Sequence, residues 1–248
     1  MKKNNIETKR TVLITGASSD IGREIALKFA SCGWNIIAHY NSGSAKAAEL
    51  KNDIKNMGVS FELIKADLAQ KNQLLRLIRQ AGRYEVNSII NNAGTYLVKK
   101  HFSKISLQDL EKVFMVNTFS HILLAGKIFQ QMKKNHFGRI VNISSIAAKY
   151  GGSSFSLAYG CSKLALEGLT KTLAREGAPY NILVNTIRPG VIDTSFHKKF
   201  PKDMKKRIAM IPLKRMGTAQ DVAELAYYLG SDKNQYITIE TIAISGGE

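Results

Sequence analysis

Two tyrosines in this sequence are each followed, four positions later, by a lysine, and such a pair could perform acid–base chemistry. The pairs are Tyr96 with Lys100 and Tyr159 with Lys163. On a helix, residues four apart share a face, and a nearby ammonium lowers the pKa of a tyrosine because it stabilises the phenolate. Such a tyrosine could protonate the alkoxide that forms when a hydride is added to a ketone. Since about one such pair is expected by chance, the surrounding sequence has to decide between the two.

The surroundings favour the second pair. Tyr159 opens a stretch with helical spacing, 158–176, and is preceded by an apolar run, 139–144, that predicts a buried strand ending at two serines. Ligands bind at the carboxyl ends of parallel strands, so we expect either Ser144 or Ser145 to take part in the site while the other caps a turn. The first pair follows a strand in an expected loop and has no partner serine. We interpret it as a chance match.

Short apolar runs alternate with helical stretches along the whole chain. The runs lack strict polar alternation and are bounded by Gly, Asn, Asp or Pro, which is typical of strands buried on both faces. This order predicts an α/β fold: a single doubly wound (Rossmann) domain over residues 1–248, with a parallel seven-stranded sheet and helices on both faces. The predicted strands are 11–15, 35–40, 61–66, 88–91, 139–144, 182–187 and 241–245, and the longer predicted helices include 107–133, 158–176 and 219–229.

The turn after the first strand predicts a phosphate-binding site. Residues 12–22 read as a buried strand, a turn of small residues and a helix start. Gly16 permits the sharp turn and Gly22 permits close packing of helix on strand, while free N–H groups at a helix N-terminus favour a bound anion. Asp20 departs from this design because its charge opposes a bound phosphate. We expect its carboxylate to cap the helix and to point away from the phosphates.

The ends of the next strands indicate a dinucleotide cofactor, with NADP favoured over NAD. An NAD site usually has an acid at the end of the second strand, whereas residues 40–42 of this chain are Tyr-Asn-Ser, with Lys46 able to approach a 2′-phosphate. Asp67 follows the third strand and could accept a hydrogen bond from adenine or cap the next helix. The Asn-Asn-Ala-Gly segment at 91–94 would let the fourth strand approach the cofactor closely.

Composition and charge limit the classes of protein to consider. Of the 248 residues, 44% are hydrophobic and 22% are charged, close to an ordinary globular protein. No apolar run approaches the roughly 18 residues that cross a bilayer, and no signal peptide is recognised. We therefore expect a cytoplasmic protein without membrane contact, with Cys32 and Cys161 reduced in its core. No Cys, His and Asp cluster has metal-ligand spacing, so no metal is expected.

The net charge of +17 is scattered through most of the chain, but one segment concentrates it. Residues 198–215 hold eight lysines and arginines against a single acid, Asp203. Such an excess would attract an acidic partner, although a solvated helix face explains it equally well. A nucleic-acid partner is favoured by the net charge alone.

Together these motifs resemble those of the short-chain dehydrogenases/reductases over nearly the full chain. The resemblance implies that Tyr159 is the acid/base, that Ser145 hydrogen-bonds the substrate carbonyl and that Lys163 holds the cofactor ribose and lowers the pKa of Tyr159. It also implies that Asn117 holds a water in a proton relay and that the protein is a homotetramer, with a homodimer as the alternative. The matching pieces are Thr15-Gly16 through Gly22, Asp67, Asn91-Asn92-Ala93-Gly94, Asn117, Ser145, Tyr159 with Lys163, Arg188-Pro189-Gly190 with Thr194, and Ser245-Gly246-Gly247.

The same resemblance implies the cofactor contacts and a mobile substrate lid at about 195–215. The expected contacts with the cofactor are Gly16, Ser18, Ser19, Asp20, Ile21, Tyr40, Asn41, Ser42, Asp67, Leu68, Asn92, Ala93, Gly94, Tyr159, Lys163, Pro189, Gly190, Ile192 and Thr194.

Within the family, residues 211–238 most resemble 3-oxoacyl-acyl-carrier-protein reductases, with three departures. Asp20 replaces the usual middle glycine of the first turn, which raises a question about cofactor affinity. Ser145 and Tyr159 are 14 positions apart, one more than is common. Ile239-Glu240 replaces a usual Gly-Gln near the last strand.

The leading hypothesis is an NADP-dependent oxidoreductase that reduces a ketone to a secondary alcohol, and the substrate class that we favour is a 3-oxoacyl thioester. The alternatives are a family member acting on a sugar or another secondary alcohol or ketone, and a cofactor-binding protein without turnover. Asp20 favours the last alternative, and the complete set of Asn117, Ser145, Tyr159 and Lys163 opposes it. A substrate linked to an acidic carrier would match the basic segment.

Overall fold

The predicted apolar runs form strands in the computed structural model, which describes residues 9–96, 100–196 and 203–248. All strand pairings are parallel, as in Val12 opposite both Ile36 and Ser88. Each predicted strand is present with ends that differ by at most two residues. The strands are β1 (Thr11–Ile14), β2 (Asn35–Tyr40), β3 (Phe61–Lys65), β4 (Ser88–Asn91), β5 (Gly138–Ile143), β6 (Ile182–Pro189) and β7 (Thr241–Ile244).

The order of the strands places the ligand crevice. It is β3-β2-β1-β4-β5-β6-β7, so the chain winds outward from β1 in one direction and then from β4 in the other. The crevice of a doubly wound sheet lies at the carboxyl ends of the strands where this reversal occurs. The predicted fold class is confirmed.

Helices cover both faces of the sheet, as predicted. On one face α1 and α9 pack together, with the Phe29 ring edge-on to Trp34 at 5.3 Å and to Tyr227 at 5.1 Å between centroids. On the other face α3, α5 and α7 contribute Leu74, Leu124 and Ala174 to a second core. The helices are α1 (Asp20–Ser31), α2 (Ser44–Ile54), α3 (Lys71–Ala81), α4 (Leu107–Phe114), α5 (Ser120–Asn135), α6 (Ile146–Lys149), α7 (Leu157–Gly177), α8 (Met204–Ala209) and α9 (Ala219–Gly230).

Two details differ from the sequence-based expectations. The predicted helix at 107–133 is divided, because a π-helical turn, Met115–Phe119, separates α4 from α5. The cysteines are unpaired, as predicted, but neither is in the core: Cys32 is exposed and Cys161 is half-buried. Within the described ranges, no helix has the length and apolar character needed to cross a membrane.

Ile239 has a backbone conformation that disfavours its side chain. Its φ is +67°, in the left-handed region where a β-branched residue is strained. The conformation is held because the Ile239 N–H donates to the Val184 carbonyl at 2.8 Å and the side chain is 40% exposed. This position is one of the departures from the family pattern, which has glycine there.

We expect Ile239→Gly to stabilise the protein by about 1 kcal/mol, because glycine adopts a positive φ without strain. For a chain of this size, that corresponds to a rise of about 2–4 °C in the thermal midpoint. Ile105 is a suitable control because its φ is −74°, so Ile105→Gly should lower the midpoint. A lower midpoint for Ile239→Gly would contradict the assignment of strain.

Candidate active site

The first turn is fixed against the end of β4. Thr15 Oγ1 accepts hydrogen bonds from the N–H groups of Asn92 and Ala93, both at 3.0 Å. Asn92 Nδ2 donates back to the Thr15 carbonyl at 2.9 Å and to the Gly16 carbonyl at 3.1 Å. A Cβ at Gly16, whose φ is +66°, would lie 2.9 Å from Ala93 Cα. This close approach explains the small residues on both strands.

The helix after this turn begins differently from the prediction for Asp20. Ser19, not Asp20, is the N-cap of α1, and its side chain accepts from the Gly22 N–H at 3.1 Å. Asp20 is the first helical residue, and its carboxylate accepts from Lys46 Nζ at 2.9 Å and from the Ser195 N–H at 2.5 Å. These hydrogen bonds hold the pKa of Asp20 at about 2, although burial acts in the opposite direction.

A buried histidine in β2 hydrogen-bonds to the same turn. His39 in β2 accepts a hydrogen bond at Nδ1 from the Gly16 N–H at 3.2 Å, while Nε2 donates to the Ala66 carbonyl at 2.9 Å. Burial lowers the pKa of His39 to about 4, so the ring is neutral. His39 directly precedes residues 40–42, which the sequence predicts to contact the cofactor. Its position inside an apolar strand was the signal for a structural role.

The remaining segments predicted to contact a dinucleotide line the same edge. Ser18 Oγ donates to the Ser42 carbonyl at 3.0 Å, which joins the first turn to the end of β2. Asp67 does not cap α3, as one interpretation expected, because its Oδ1 accepts from the Ala69 N–H at 2.9 Å in a turn that precedes the helix.

The segment after β6, which is predicted to contact the cofactor, packs closely against neighbouring backbone. A Cβ at Gly190 would lie 2.8 Å from Ser245 Cα, so the chain passes closely under the end of β7. Leu68, after β3, and Ile192, after β6, are 3% and 4% exposed, so their side chains offer almost no surface to a ligand. Thr194 Oγ1 donates to the Ile192 carbonyl at 3.3 Å.

The π-helical turn aims Asn117 into the site. Asn117 is fully buried, and its Oδ1 accepts from the Thr95 N–H at 2.7 Å while Nδ2 donates to the Thr95 carbonyl at 3.0 Å and to Ser162 Oγ at 2.9 Å. The side chain therefore joins the segment after β4 to α7. Single-turn π segments occur frequently at functional sites.

The side chains of Lys163 and Asn117 both lie close to Gly94. Its Nζ donates to the Ile143 carbonyl at 2.7 Å, and a Cβ at Gly94 would lie 3.1 Å from that Nζ and 3.6 Å from Asn117 Oδ1. Burial lowers the pKa of Lys163 to about 8, although the charge of Glu167 acts in the opposite direction. The ammonium is therefore the main form at neutral pH.

Tyr159 and Ser145 lie near each other at the edge of this cluster. Burial raises the pKa of Tyr159, opposite to the shift expected from Lys163, and the hydrogen bond to the Ser145 side chain lowers it. Lys163 Nζ donates to the Ile143 carbonyl instead. Ser145 also caps α6, accepting from the Ala147 N–H at 3.1 Å. In this arrangement Tyr159 holds its proton at neutral pH.

The tyrosine of the pair interpreted as a chance match also lies in this site. The rings of Tyr96 and Tyr159 meet edge-on at 5.3 Å between centroids, and the Tyr96 hydroxyl donates to the Phe155 carbonyl at 3.0 Å. Its lysine is elsewhere, because Lys100 Nζ pairs with Asp109 at 2.7 Å. The Tyr-x-x-x-Lys spacing at 96–100 thus does not produce an acid–base pair, but Tyr96 lines the site.

The second serine has a structural role through a buried carboxylate that sequence analysis did not single out. Ser144 Oγ donates to Glu167 Oε1 at 2.7 Å. Arg188 donates to both oxygens of Glu167, at 2.7 and 2.5 Å. Because Glu167 is one turn after Lys163 on α7, this network fixes the helix that carries the acid–base residues.

The geometry fits a dinucleotide. The glycines at 16, 94 and 190 lie where a Cβ would meet neighbouring groups within about 3 Å. The first turn of α1 presents the positive end of the helix dipole, which favours a bound anion, although its Gly22 N–H already donates to Ser19 Oγ. Within the described ranges, no group of three or more His, Cys, Asp or Glu is placed to hold a metal ion. Residues 197–202, which include Lys198, Lys199 and Lys202 of the predicted lid, lie outside the described residues.

Comparison with known proteins defines the class. A family model described as "Enoyl-(Acyl carrier protein) reductase" matches residues 16–248. The chain belongs to the short-chain dehydrogenases/reductases and is an NAD(P)-dependent oxidoreductase of that family. It is 34% identical over 242 residues to the 3-oxoacyl-[acyl-carrier-protein] reductase FabG of Staphylococcus epidermidis, covering 96% of this chain and 98% of that protein.

Solved structures agree on the fold but carry different functional descriptions. A putative NAD(P)-dependent gluconate 5-dehydrogenase from Beutenbergia cavernae with bound NADP superposes with a TM-score of 0.89 at 31% identity, covering 96% of each chain. A 3-oxoacyl (acyl-carrier-protein) reductase from Agrobacterium tumefaciens with bound NADP has a TM-score of 0.88 at 28% identity, covering 96% of this chain and 94% of that chain. These likenesses define the oxidoreductase class and leave the substrate open.

We expect the buried His39 to make stability fall with decreasing pH. Its pKa is lowered from 6.5 to about 4, so between these values the unfolded chain binds more protons than the folded one. The contribution is complete above pH 6.5 and is lost as the pH falls toward 4. His39→Gln keeps a donor and an acceptor, and urea unfolding at several pH values should show a shallower loss of stability. His136→Asn, at an exposed position, is the control, and an equal slope in all three proteins would contradict the assignment.

Proposed function

We propose that this protein is an NADPH-dependent reductase that converts a 3-oxoacyl thioester on an acidic carrier to the 3-hydroxyacyl thioester. The observation that carries the proposal is the convergence of Tyr159 and Ser145 with the buried pair Lys163 and Asn117, which meet at Gly94 after β4. The similarity to 3-oxoacyl-acyl-carrier-protein reductases over 96% of the chain supports the substrate class.

The residues of the site supply the proton and hold the substrate. NADPH, when bound, supplies a hydride to the carbonyl carbon. Tyr159 donates its phenolic proton to the carbonyl oxygen, which becomes the hydroxyl of the product. Ser145, within hydrogen-bond reach of Tyr159, holds the same oxygen and stabilises its developing charge.

Lys163 and Asn117 position Tyr159 and return a proton to it after the reaction. The pKa of Lys163, about 8, keeps this residue charged at neutral pH, so that it favours the phenolate left on Tyr159 although its Nζ donates to the Ile143 carbonyl before the reaction. Asn117 ties α7 to the segment after β4 through its hydrogen bonds to Ser162 and Thr95, so the acid stays in register with the cofactor cleft. We assign the proton relay that refills Tyr159 to Lys163 and Asn117.

The end of β2 supports NADPH as the cofactor. Tyr40, Asn41 and Ser42 offer hydrogen bonds without the carboxylate that an NAD site uses, and Lys46 is the adjacent cation. The solved 3-oxoacyl reductase and gluconate dehydrogenase relatives were both obtained with NADP.

An acidic substrate carrier is supported by the charge of the lid. Of its described residues, α8 places Lys205, Lys206 and Arg207 after the N-cap Asp203, and Lys214 and Arg215 follow. The alternative substrate is a sugar acid, favoured by the likeness to the gluconate 5-dehydrogenase. A carrier-linked thioester and a sugar acid both carry negative charge, so the two candidate substrates differ more clearly in size than in the sign of their charge.

We also propose a homotetramer, with a homodimer as the alternative, in the cytoplasm. Phe119, at the end of the π-helical turn, is 44% exposed, Ile122 and Leu123 on α5 are 40% and 50% exposed, and Leu164 on α7 is 48% exposed. An apolar surface of this kind is typical of an interface between proteins. Sedimentation equilibrium distinguishes the two states, and a monomer would contradict both.

Tyr159→Phe should lower kcat with a 3-oxoacyl-CoA by about 10²–10⁴-fold, because it removes the general acid. Binding of NADPH, followed by its fluorescence, should persist. The measurement is initial-rate kinetics at saturating NADPH.

Two other tyrosines serve as controls. Tyr96→Phe should lower kcat by less than about tenfold, since Tyr96 packs against the acid without supplying the proton. Tyr236→Phe, at a residue that is 94% exposed, should leave the rate unchanged. A larger loss for Tyr96→Phe than for Tyr159→Phe would transfer the acid role to Tyr96.

Neutralising Lys205, Lys206 and Arg207 together should raise KM for a 3-oxoacyl chain on an acidic carrier protein, because the lid then attracts it less. KM for a small neutral ketone should not change. Neutralising Lys71, Arg79 and Arg83, which are exposed in or just after α3, removes the same charge elsewhere. Equal effects of the lid variant on both substrates would reject an electrostatic role for the lid.

A further inference from the structure

The Asp20 carboxylate connects both walls of the cleft that would hold the dinucleotide. Its Oδ1 accepts from Lys46 Nζ at 2.9 Å, on α2, and its Oδ2 accepts from the Ser195 N–H at 2.5 Å, at the start of the lid. One wall follows β2, where the adenosine ribose is expected, and the other follows β6. A single side chain therefore bridges the two segments.

Asp20 occupies a position at the N-terminus of α1 that favours any negatively charged group. It is the first residue of α1, directly after the N-cap Ser19, where the helix dipole and free N–H groups favour negative charge. A cofactor pyrophosphate binds at the same end of this helix in a doubly wound fold. Asp20 and a bound phosphate thus compete for one favourable electrostatic environment and for one cation, Lys46.

We propose that Asp20 is an internal competitor of the cofactor phosphates, and that NADPH binding transfers Lys46 from the Asp20 carboxylate to a phosphate. The inference rests on the proposed use of NADPH. It makes Asp20 a determinant of cofactor affinity and Lys46 the group through which the competition acts. It also accounts for a carboxylate in a turn where the family has glycine.

The exchange requires a pair that opens easily and a carboxylate that stays charged. The side chains of Lys46 and Asp20 are 48% and 28% exposed, and partly exposed ion pairs are weak. The pKa of Asp20 is about 2, so protonation does not remove its charge at neutral pH. The cofactor phosphate therefore has to displace a carboxylate that is still negatively charged.

The test is calorimetric titration of NADPH and NADH into four proteins: the wild type, Asp20→Asn, Lys46→Met and the double variant. Asn at position 20 can still accept from the Ser195 N–H, so the substitution removes the charge and keeps a tether. We expect Asp20→Asn to tighten NADPH binding by about tenfold. In the Lys46→Met background the same substitution should tighten it at least about threefold less, because no cation is left to release.

Asp53→Asn is the matched control. Asp53 lies on α2 and pairs with Arg23 on α1 at 2.7 Å, so this variant removes the same charge and breaks a pair between the same two helices, away from the N-terminus of α1. It should change the dissociation constant of NADPH by less than about twofold.

The outcomes separate the inference from the proposed function. Wild-type binding of NADPH with an equal gain in both backgrounds, with no gain, or with the same gain from Asp53→Asn overturns the exchange and leaves the reductase proposal intact. Failure of all variants to bind either nucleotide overturns the proposed function, and the inference with it. A gain that depends on Lys46 and is absent in Asp53→Asn supports the exchange.

Discussion

The structure depends on one constraint: all seven strands run in the same direction, so their carboxyl ends meet at one edge of the sheet. Buried strands must pair all their backbone groups, and the residues just after each strand are the first that are free to do anything else. The ends of β1, β4, β5 and β6 supply, in that order, the glycine turn before α1, the wall beside Asn117, the Ser145 turn and the close passage at Gly190.

Buried polar groups then fix the geometry of this edge. Asn117 and Lys163 are only 0% and 3% exposed. Asn117 hydrogen-bonds to the backbone of Thr95 and to the Ser162 side chain, and Lys163 donates to the Ile143 carbonyl. Glu167 is nearly as buried and is neutralised by a two-point contact with Arg188. Breaking one member of such a buried pair is costly, so these contacts hold the helix that carries Tyr159 in one position.

The sequence predicted the sheet well, because periodicity and turn residues are local signals. Strands 35–40 and 88–91 have the bounds that the sequence predicts. Contacts between distant segments left no such signal. The π-helical turn at Asn117, the ring contact between Tyr96 and Tyr159, and the bridge from Asp20 to Ser195 each depend on tertiary packing. For Asp20, the capping prediction was wrong because the adjacent Ser19 caps the helix instead.

In the reaction that we propose, this edge brings a hydride donor and the Tyr159 proton to a 3-oxoacyl carbonyl. The most direct measurement is a single turnover of the wild-type protein with NADPH deuterated at the transferable position and a 3-oxoacyl thioester, with the product analysed by mass spectrometry. We expect a 3-hydroxyacyl thioester that carries deuterium at carbon 3. Absence of that product, or deuterium delivered only to an enoyl thioester or to a sugar acid offered in parallel, would contradict it.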